Sequence, residues 1–214
     1  MRRRDAGPLP PGYTPLNYLE STGGQSIDTL WAPTAGEHEL VCRFGITAGN
    51  AGFSLFGART NTPAPVKRAG TYYFGTAYRP SVYVGTTSNQ FTLPASNPHV
   101  IGTIYNLSLV VSESDSTFRR EVTGEDGLMN LENAASFVGG TTTPDTLHLF
   151  SAKTQGVVAE RGYFKVYGHR IYEAGALVRD MLPCLDGGGR PCMYCLVSKQ
   201  TFYNVSGATD FLYG

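Results

Sequence analysis

Few stretches of this 214-residue chain bring reactive side chains to workable spacing. Glu113-Ser-Asp115 sets two acids at alternate positions, the arrangement by which one strand aims both into a cleft about 5 to 10 Å wide for glycoside hydrolysis. Thr117 and Phe118 stand where a third acid would complete such a set, and the surrounding serines read as a hairpin turn. Glu37-His38-Glu39 is a second alternate pair, and its neighbours Pro33 to Gly36 make it the solvated start of a strand. Cys192-Met-Tyr-Cys195 has half of a zinc-ribbon spacing, with Cys184 eight residues earlier and His148 or His169 as a fourth ligand. A strand through these residues sends Cys192 and Cys195 to opposite faces, so no metal and no other cofactor is expected. Cys42 reads as a small buried hydrophobe. The sequence has no GxSxG elbow, no HExxH and no phosphate loop, and no catalytic residue is assigned.

Binding is the better-supported chemistry. Tyr72, Tyr73, Tyr78, Arg79 and Tyr83 crowd into one stretch, TYYFGTAYRPSVYVG. Aromatic faces stack on sugars, hydroxyls bond their rims and arginine engages an acidic group. Strand alternation turns about half of such side chains inward. Tyr72, Tyr78, Arg79 and Tyr83 are the candidate ligand site.

Charge narrows the partners. Seventeen basic and seventeen acidic residues cancel, which argues against a nucleic-acid or membrane-surface protein. The local exception is Arg2, Arg3 and Arg4, which precede the Pro-rich stretch Gly7 to Gly12 and form a candidate partner-docking arm. Asp5, Gly7, Pro8 and Pro10 occupy the place of a secretory apolar segment, so no signal peptide is expected. No stretch approaches the ~18 to 20 apolar residues of a membrane span. Four cysteines then read as reduced thiols.

The elements that must position these residues are strands. Period-two patterning recurs throughout, in runs such as His38 to Ile46, Gly52 to Ala58, Val100 to Val111, Gly162 to Tyr172 and Leu177 to Leu182. The single helical candidate is Asp126 to Ala135, from the spacing of Leu128, Leu131 and Ala135. The opening run Leu9 to Thr29 reads as a strand, a tight turn at Ser21 to Gly24 and a second strand. The expected architecture is an all-β, two-sheet antiparallel β-sandwich or jelly roll, with residues 1–12 as an extended arm and 13–214 as one domain.

The run LPPGYTPLNYLESTGGQSIDT resembles the start of LamG-like, concanavalin A-like lectin/glucanase jelly-roll domains of bacteriophage tail and virion proteins and of gut-bacterial surface proteins. Leu55 to Arg59 (LFGAR), Gly162 to Tyr172, Leu177 to Cys184 (LVRDMLPC) and Thr201 to Gly207 resemble later segments of that family, in the same order. Residues 60–146 and the pair Cys192 and Cys195 depart from its pattern. The resemblance implies a concanavalin A-like jelly roll and a non-enzymatic virion structural protein, on the tail or capsid exterior. It would be assembled in the host cytoplasm, in contact with other virion proteins and as a homo-oligomer or symmetric assembly, and would attach to glycan or another host-surface ligand. A decoration protein without ligand and a bacterial carbohydrate-binding surface protein are the alternatives, and a glycoside hydrolase stands last.

Overall fold

The computed structural model describes residues 9–48, 52–60, 67–74, 80–86, 99–207 and 209–214, with backbone alone at 67–74 and 80. Three two-residue strands come first: β1 (Thr14–Pro15), β2 (Leu19–Glu20) and β3 (Ile27–Asp28). Longer strands follow as β4 (Glu37–Ile46), β5 (Phe53–Thr60), β6 (Lys67–Phe74) and β7 (Pro80–Tyr83). Then come β8 (Ile104–Ser112), β9 (Thr117–Gly124) and β10 (Asn130–Ser136). Short β11 (His148–Leu149), β12 (Ala152–Thr154) and β13 (Val157–Ala159) precede the long pair β14 (Phe164–Glu173) and β15 (Ala176–Leu185). β16 (Pro191–Cys195), β17 (Gln200–Phe202) and β18 (Leu212–Tyr213) close the chain.

These strands form two sheets. The large one runs β10-β9-β8-β4-β14-β15-β16-β17, with β1 added to β15, and β2 joining β14 to β18. The smaller is built around β5, with β6 and β7 on one side and β11 and β12 on the other, followed by β3 and β13. Every pairing is antiparallel except β5 with β12.

Alternation explains the core. On β4 the inward positions His38, Leu40, Cys42, Phe44 and Ile46 are buried, while Glu37, Glu39 and Arg43 between them face out. β8 contributes Tyr105, Leu107, Leu109 and Val111 in the same way. On β14 a register shift between Val166 and Gly168 lets Phe164, Val166, His169 and Ile171 all reach the core. β5 is buried from Phe53 through Ala58, as expected of a central strand covered on both faces. The two-sheet antiparallel β-sandwich expected from the sequence is the observed architecture.

Two local expectations need correction. Residues 130–136 form the edge strand β10, paired with β9 from Asn130↔Thr123 to Ser136↔Thr117, where a helix was expected. Leu131 and Ala135, four apart, share one face of a strand as readily as one face of a helix, because four is an even number. Leu128, three before Leu131, breaks the tie, since it is 80% exposed in the preceding turn. The opening run also does not fold back on itself. β2 belongs to the large sheet and β3 to the smaller one, so the turn at Ser21 to Gly24 crosses between sheets. Gly23 makes that crossing at φ +89°, where a Cβ would stand 2.6 Å from the Tyr163 ring.

A second, smaller apolar cluster lies apart from the main core. Cys184, Cys192 and Tyr194 are covered there by Leu9, Tyr13, Leu196 and Tyr203. The N-terminal segment is fixed over them by β1, whose Thr14 and Pro15 pair with Leu185 and Cys184.

Candidate functional site

Of the residues singled out by sequence, Arg2, Arg3, Arg4, Tyr78 and Arg79 lie outside the described residues. Tyr72 stands on β6 directly across from Phe56 of β5 and Val82 of β7, both core positions. Tyr83 lies between the buried Val82 and Val84, so it faces outward, and it is half-buried. β6, which carries Tyr72, therefore flanks β5 in the smaller sheet, and β7 lies beyond it.

That sheet's outer face holds a polar group that the sequence did not disclose. Arg59 follows the core residue Ala58 on β5 and so projects outward. Its Nε donates to Thr154 Oγ1 at 3.1 Å, and its Nη1 lies 3.5 Å from Glu160 Oε1. Ser54 Oγ donates to Glu160 Oε2 at 2.9 Å, and the Ser54 amide donates to the Glu160 carbonyl at 2.7 Å. Glu160 has φ +54°, a conformation that a non-glycine residue keeps only when its surroundings hold it there. The ladder places Arg59 directly opposite Arg68 of β6 on one side and Thr154 of β12 on the other. A cation, a fixed carboxylate and the Thr154 hydroxyl can bind a polar, acidic ligand.

A second constellation has the residue types of a hydrolytic triad. Ser26 Oγ lies 2.8 Å from His148 Nδ1 and 2.7 Å from Ser151 Oγ, and His148 Nε2 lies 3.4 Å from Asp28 Oδ2. Ser26 and Ser151 are fully buried and His148 is 2% exposed, so the hydroxyl cannot meet a substrate. The group ties β3 to β11. Burial pushes the Asp28 carboxyl up, but hydrogen bonds from His148, Thr146 and the Leu30 amide outweigh it and hold the group at about 2. Lys153 Nζ adds a cation 3.9 Å away.

The remaining sequence candidates settle into structural roles. Glu113 and Asp115 lie in the turn between β8 and β9, where Asp115 accepts from Ser112 Oγ and Glu113 from Thr141. Cys192 faces the N-terminal segment while Cys195 faces the main core, as strand alternation requires. Among the described residues no group of three or more His, Cys, Asp or Glu is placed to hold a metal ion. No described helix is long and apolar enough to cross a membrane.

The outer face of the large sheet carries a contrasting charged stripe. Arg43 donates from Nε and Nη2 to both oxygens of Glu125, at 2.6 and 2.9 Å, and its guanidinium lies 4.5 Å over the Tyr167 ring. Lys165 sits 4.2 Å over Tyr18 and 3.6 Å from Glu20, and the two tyrosine rings meet edge to face at 5.7 Å. Each cation here already has an acid and a ring.

No protein-family profile and no curated protein matches the sequence. Solved structures do. The CBM40 of the Ruminococcus gnavus IT-sialidase, bound to α2,3-sialyllactose, matches with a TM-score of 0.54 and 16% identity over 73% of this chain and 89% of its own. The same CBM40 bound to α2,6-sialyllactose matches with a TM-score of 0.53 and 15% identity, over 75% and 90%. The NanB sialidase of Streptococcus pneumoniae matches with a TM-score of 0.55 and 15% identity over 77% of this chain, which spans only 27% of that enzyme. At such identities the likeness is one of fold, and it agrees with the strand order and core: the chain is a concanavalin A-like jelly-roll sandwich.

Proposed function

We propose that this chain is a non-catalytic carbohydrate-binding module that takes an acidic glycan on the outer face of its smaller sheet. Arg59 would engage the acid group, Glu160 and Thr154 the hydroxyls, and Tyr83 an apolar sugar face. The observation that carries this reading is the state of Arg59. It stands outward beside Arg68 in the ladder, held by one 3.5 Å ion pair and one bond to a neutral hydroxyl. The CBM40 structures described as bound to sialyllactose support the choice of ligand class. Burial of Ser26 and His148 supports the absence of catalysis at that group. A glycan array probed with the purified chain tests the reading: sialylated or uronic-acid-bearing glycans should be retained and their neutral counterparts not. Uniform absence of binding would overturn it.

The finer placement, on the tail or capsid exterior of a bacteriophage, draws its support from the sequence resemblance of the opening, LFGAR and LVRDMLPC segments. Arg2, Arg3 and Arg4 would then dock on a neighbouring virion protein in a symmetric assembly. Deleting residues 1–8 should leave the melting temperature unchanged, because Leu9 and Tyr13 keep their packing, and should abolish incorporation into particles. Normal incorporation would contradict the docking role.

A further inference from the structure

The small cluster beneath the N-terminal segment holds two thiols in an arrangement that the binding face does not use. Cys184 on β15 and Cys192 on β16 occupy directly opposite ladder positions, and their Sγ atoms lie 3.5 Å apart. The Leu196 amide donates to the Asp180 carbonyl and the Asp186 amide to the Arg190 carbonyl. Hydrogen-bonded pairs alternate along an antiparallel ladder, so Cys184 and Cys192 form one too, with Cα atoms roughly 5.5 Å apart. That separation falls within the range of about 4.4 to 6.8 Å over which a disulfide closes. Pro183 and Pro191 occupy the intervening positions, where this ladder needs no N–H.

Competition from the other cysteines is excluded by the sheet itself. Cys42 and Cys195 belong to the main core on its opposite face. Access is limited as well, since both paired thiols are fully buried under Leu9, Tyr13, Leu196 and Tyr203. The Cys192 thiol hydrogen-bonds to Cys184 and pulls the Cys184 thiol down, while Cys192 itself is pushed up. Either sulfur can attack first, because each thiol can donate its proton to the other across 3.5 Å.

We propose that Cys184 and Cys192 form a reversible cross-strand disulfide site, closed by exchange with a small-molecule disulfide when the segment Leu9 to Pro15 lifts. When Cys184 goes first, its thiolate attacks one sulfur of that disulfide, forming a mixed disulfide and releasing one thiolate. Cys192 then loses its proton and attacks the Cys184 sulfur, and the second small thiolate leaves. The protein's two thiols give up two electrons and two protons, and the small disulfide becomes two thiols. The closed bond would lock β15 to β16 beneath the arm.

Oxidised glutathione is the probe. The full chain is incubated with it, then unfolded in iodoacetamide and weighed. The site predicts that two of the four cysteines escape alkylation, that the unlabelled mass falls by two hydrogen atoms, and that dithiothreitol restores four. Cleavage at Asp186 should leave the Cys184 and Cys192 peptides joined. Four alkylated cysteines throughout, or a link that includes Cys42 or Cys195, would overturn the assignment. Tyr13→Ala should speed the loss of thiols in the folded protein, and an unchanged rate would overturn the gating by the arm. No part of this test depends on glycan binding.

Discussion

On the outer face of the large sheet Arg43 is clamped by both oxygens of Glu125 and covered by Tyr167, whereas on the smaller sheet Arg59 has one 3.5 Å ion pair and a threonine hydroxyl. The same contrast runs through the interior. His38 on β4, His169 on β14 and His99 beside Phe44 and Tyr105 sit in apolar packing. Burial above all pushes them down, His38 to about 4 and the other two to about 3. His148 in the smaller sheet instead has Ser26 and Asp28 as polar partners. Burial holds those three rings neutral beside the large sheet, whereas hydrogen bonds hold the Asp28 carboxyl of the smaller sheet ionised. Rigid pairing suits a scaffold, and loosely held charge suits a ligand.

Acid should produce the largest effect. Each of these three histidines binds its proton more weakly folded than unfolded, so unfolding takes up protons and stability falls as pH drops below the ordinary histidine value of about 6.5. With three such groups the loss approaches about 4 kcal/mol per pH unit between roughly pH 5.5 and 4. Chemical denaturation across that range should show it, and His169→Phe should remove about a third of the slope. A stability curve flat to pH 4 would end the claim that burial holds these rings neutral.

Asp28 acts in a separate window. Its folded value of about 2 lies below the ordinary 3.8, so it stabilises the fold above about pH 4, and the contribution is lost as pH falls towards 2. Asp28→Asn should cost about 2 kcal/mol at neutral pH, with the difference from wild type vanishing near pH 2. A constant difference across that range would mean that packing, not charge, is what Asp28 provides.

Surface arginines should give the smallest stability changes and the clearest division between the sheets. Arg43→Ala should cost about 1 kcal/mol, since a half-exposed bidentate pair over a ring is worth no more. Arg59→Ala should stay within about 0.5 kcal/mol of wild type. Equal costs in thermal melts would erase the distinction between a committed and an available arginine.

Much of the scaffold was legible in the sequence. Alternation in HELVCRFGI and IYNLSLVV, broken at Val41 and Val110, marks which side of β4 and β8 is buried, and the run SESDS marks the turn between β8 and β9. Alternation also separates Cys192 from Cys195. The edge strand β10 is ambiguous in sequence because Leu131 and Ala135 satisfy both periods, and only the pairing with β9 decides between them. The candidate site was less accessible. Arg59 lies at the end of a readable strand, yet its partner Glu160 is 101 positions away and Ser54 meets that acid across 106. Nothing local in either segment announces the contact. The Ser26, His148 and Asp28 group was hidden for the same reason, since β3 and β11 meet only in the folded sheet.

The central claim is that the smaller sheet, not the large one, meets an acidic glycan. Calorimetric titration of wild type, Arg59→Ala and Arg43→Ala with 3′-sialyllactose and with lactose tests it most directly. The account predicts binding of sialyllactose but not lactose by wild type, a loss of roughly tenfold or more in Arg59→Ala from a missing charge-assisted hydrogen bond, and unchanged affinity in Arg43→Ala. Sialyllactose affinity that survives Arg59→Ala and falls in Arg43→Ala would contradict it.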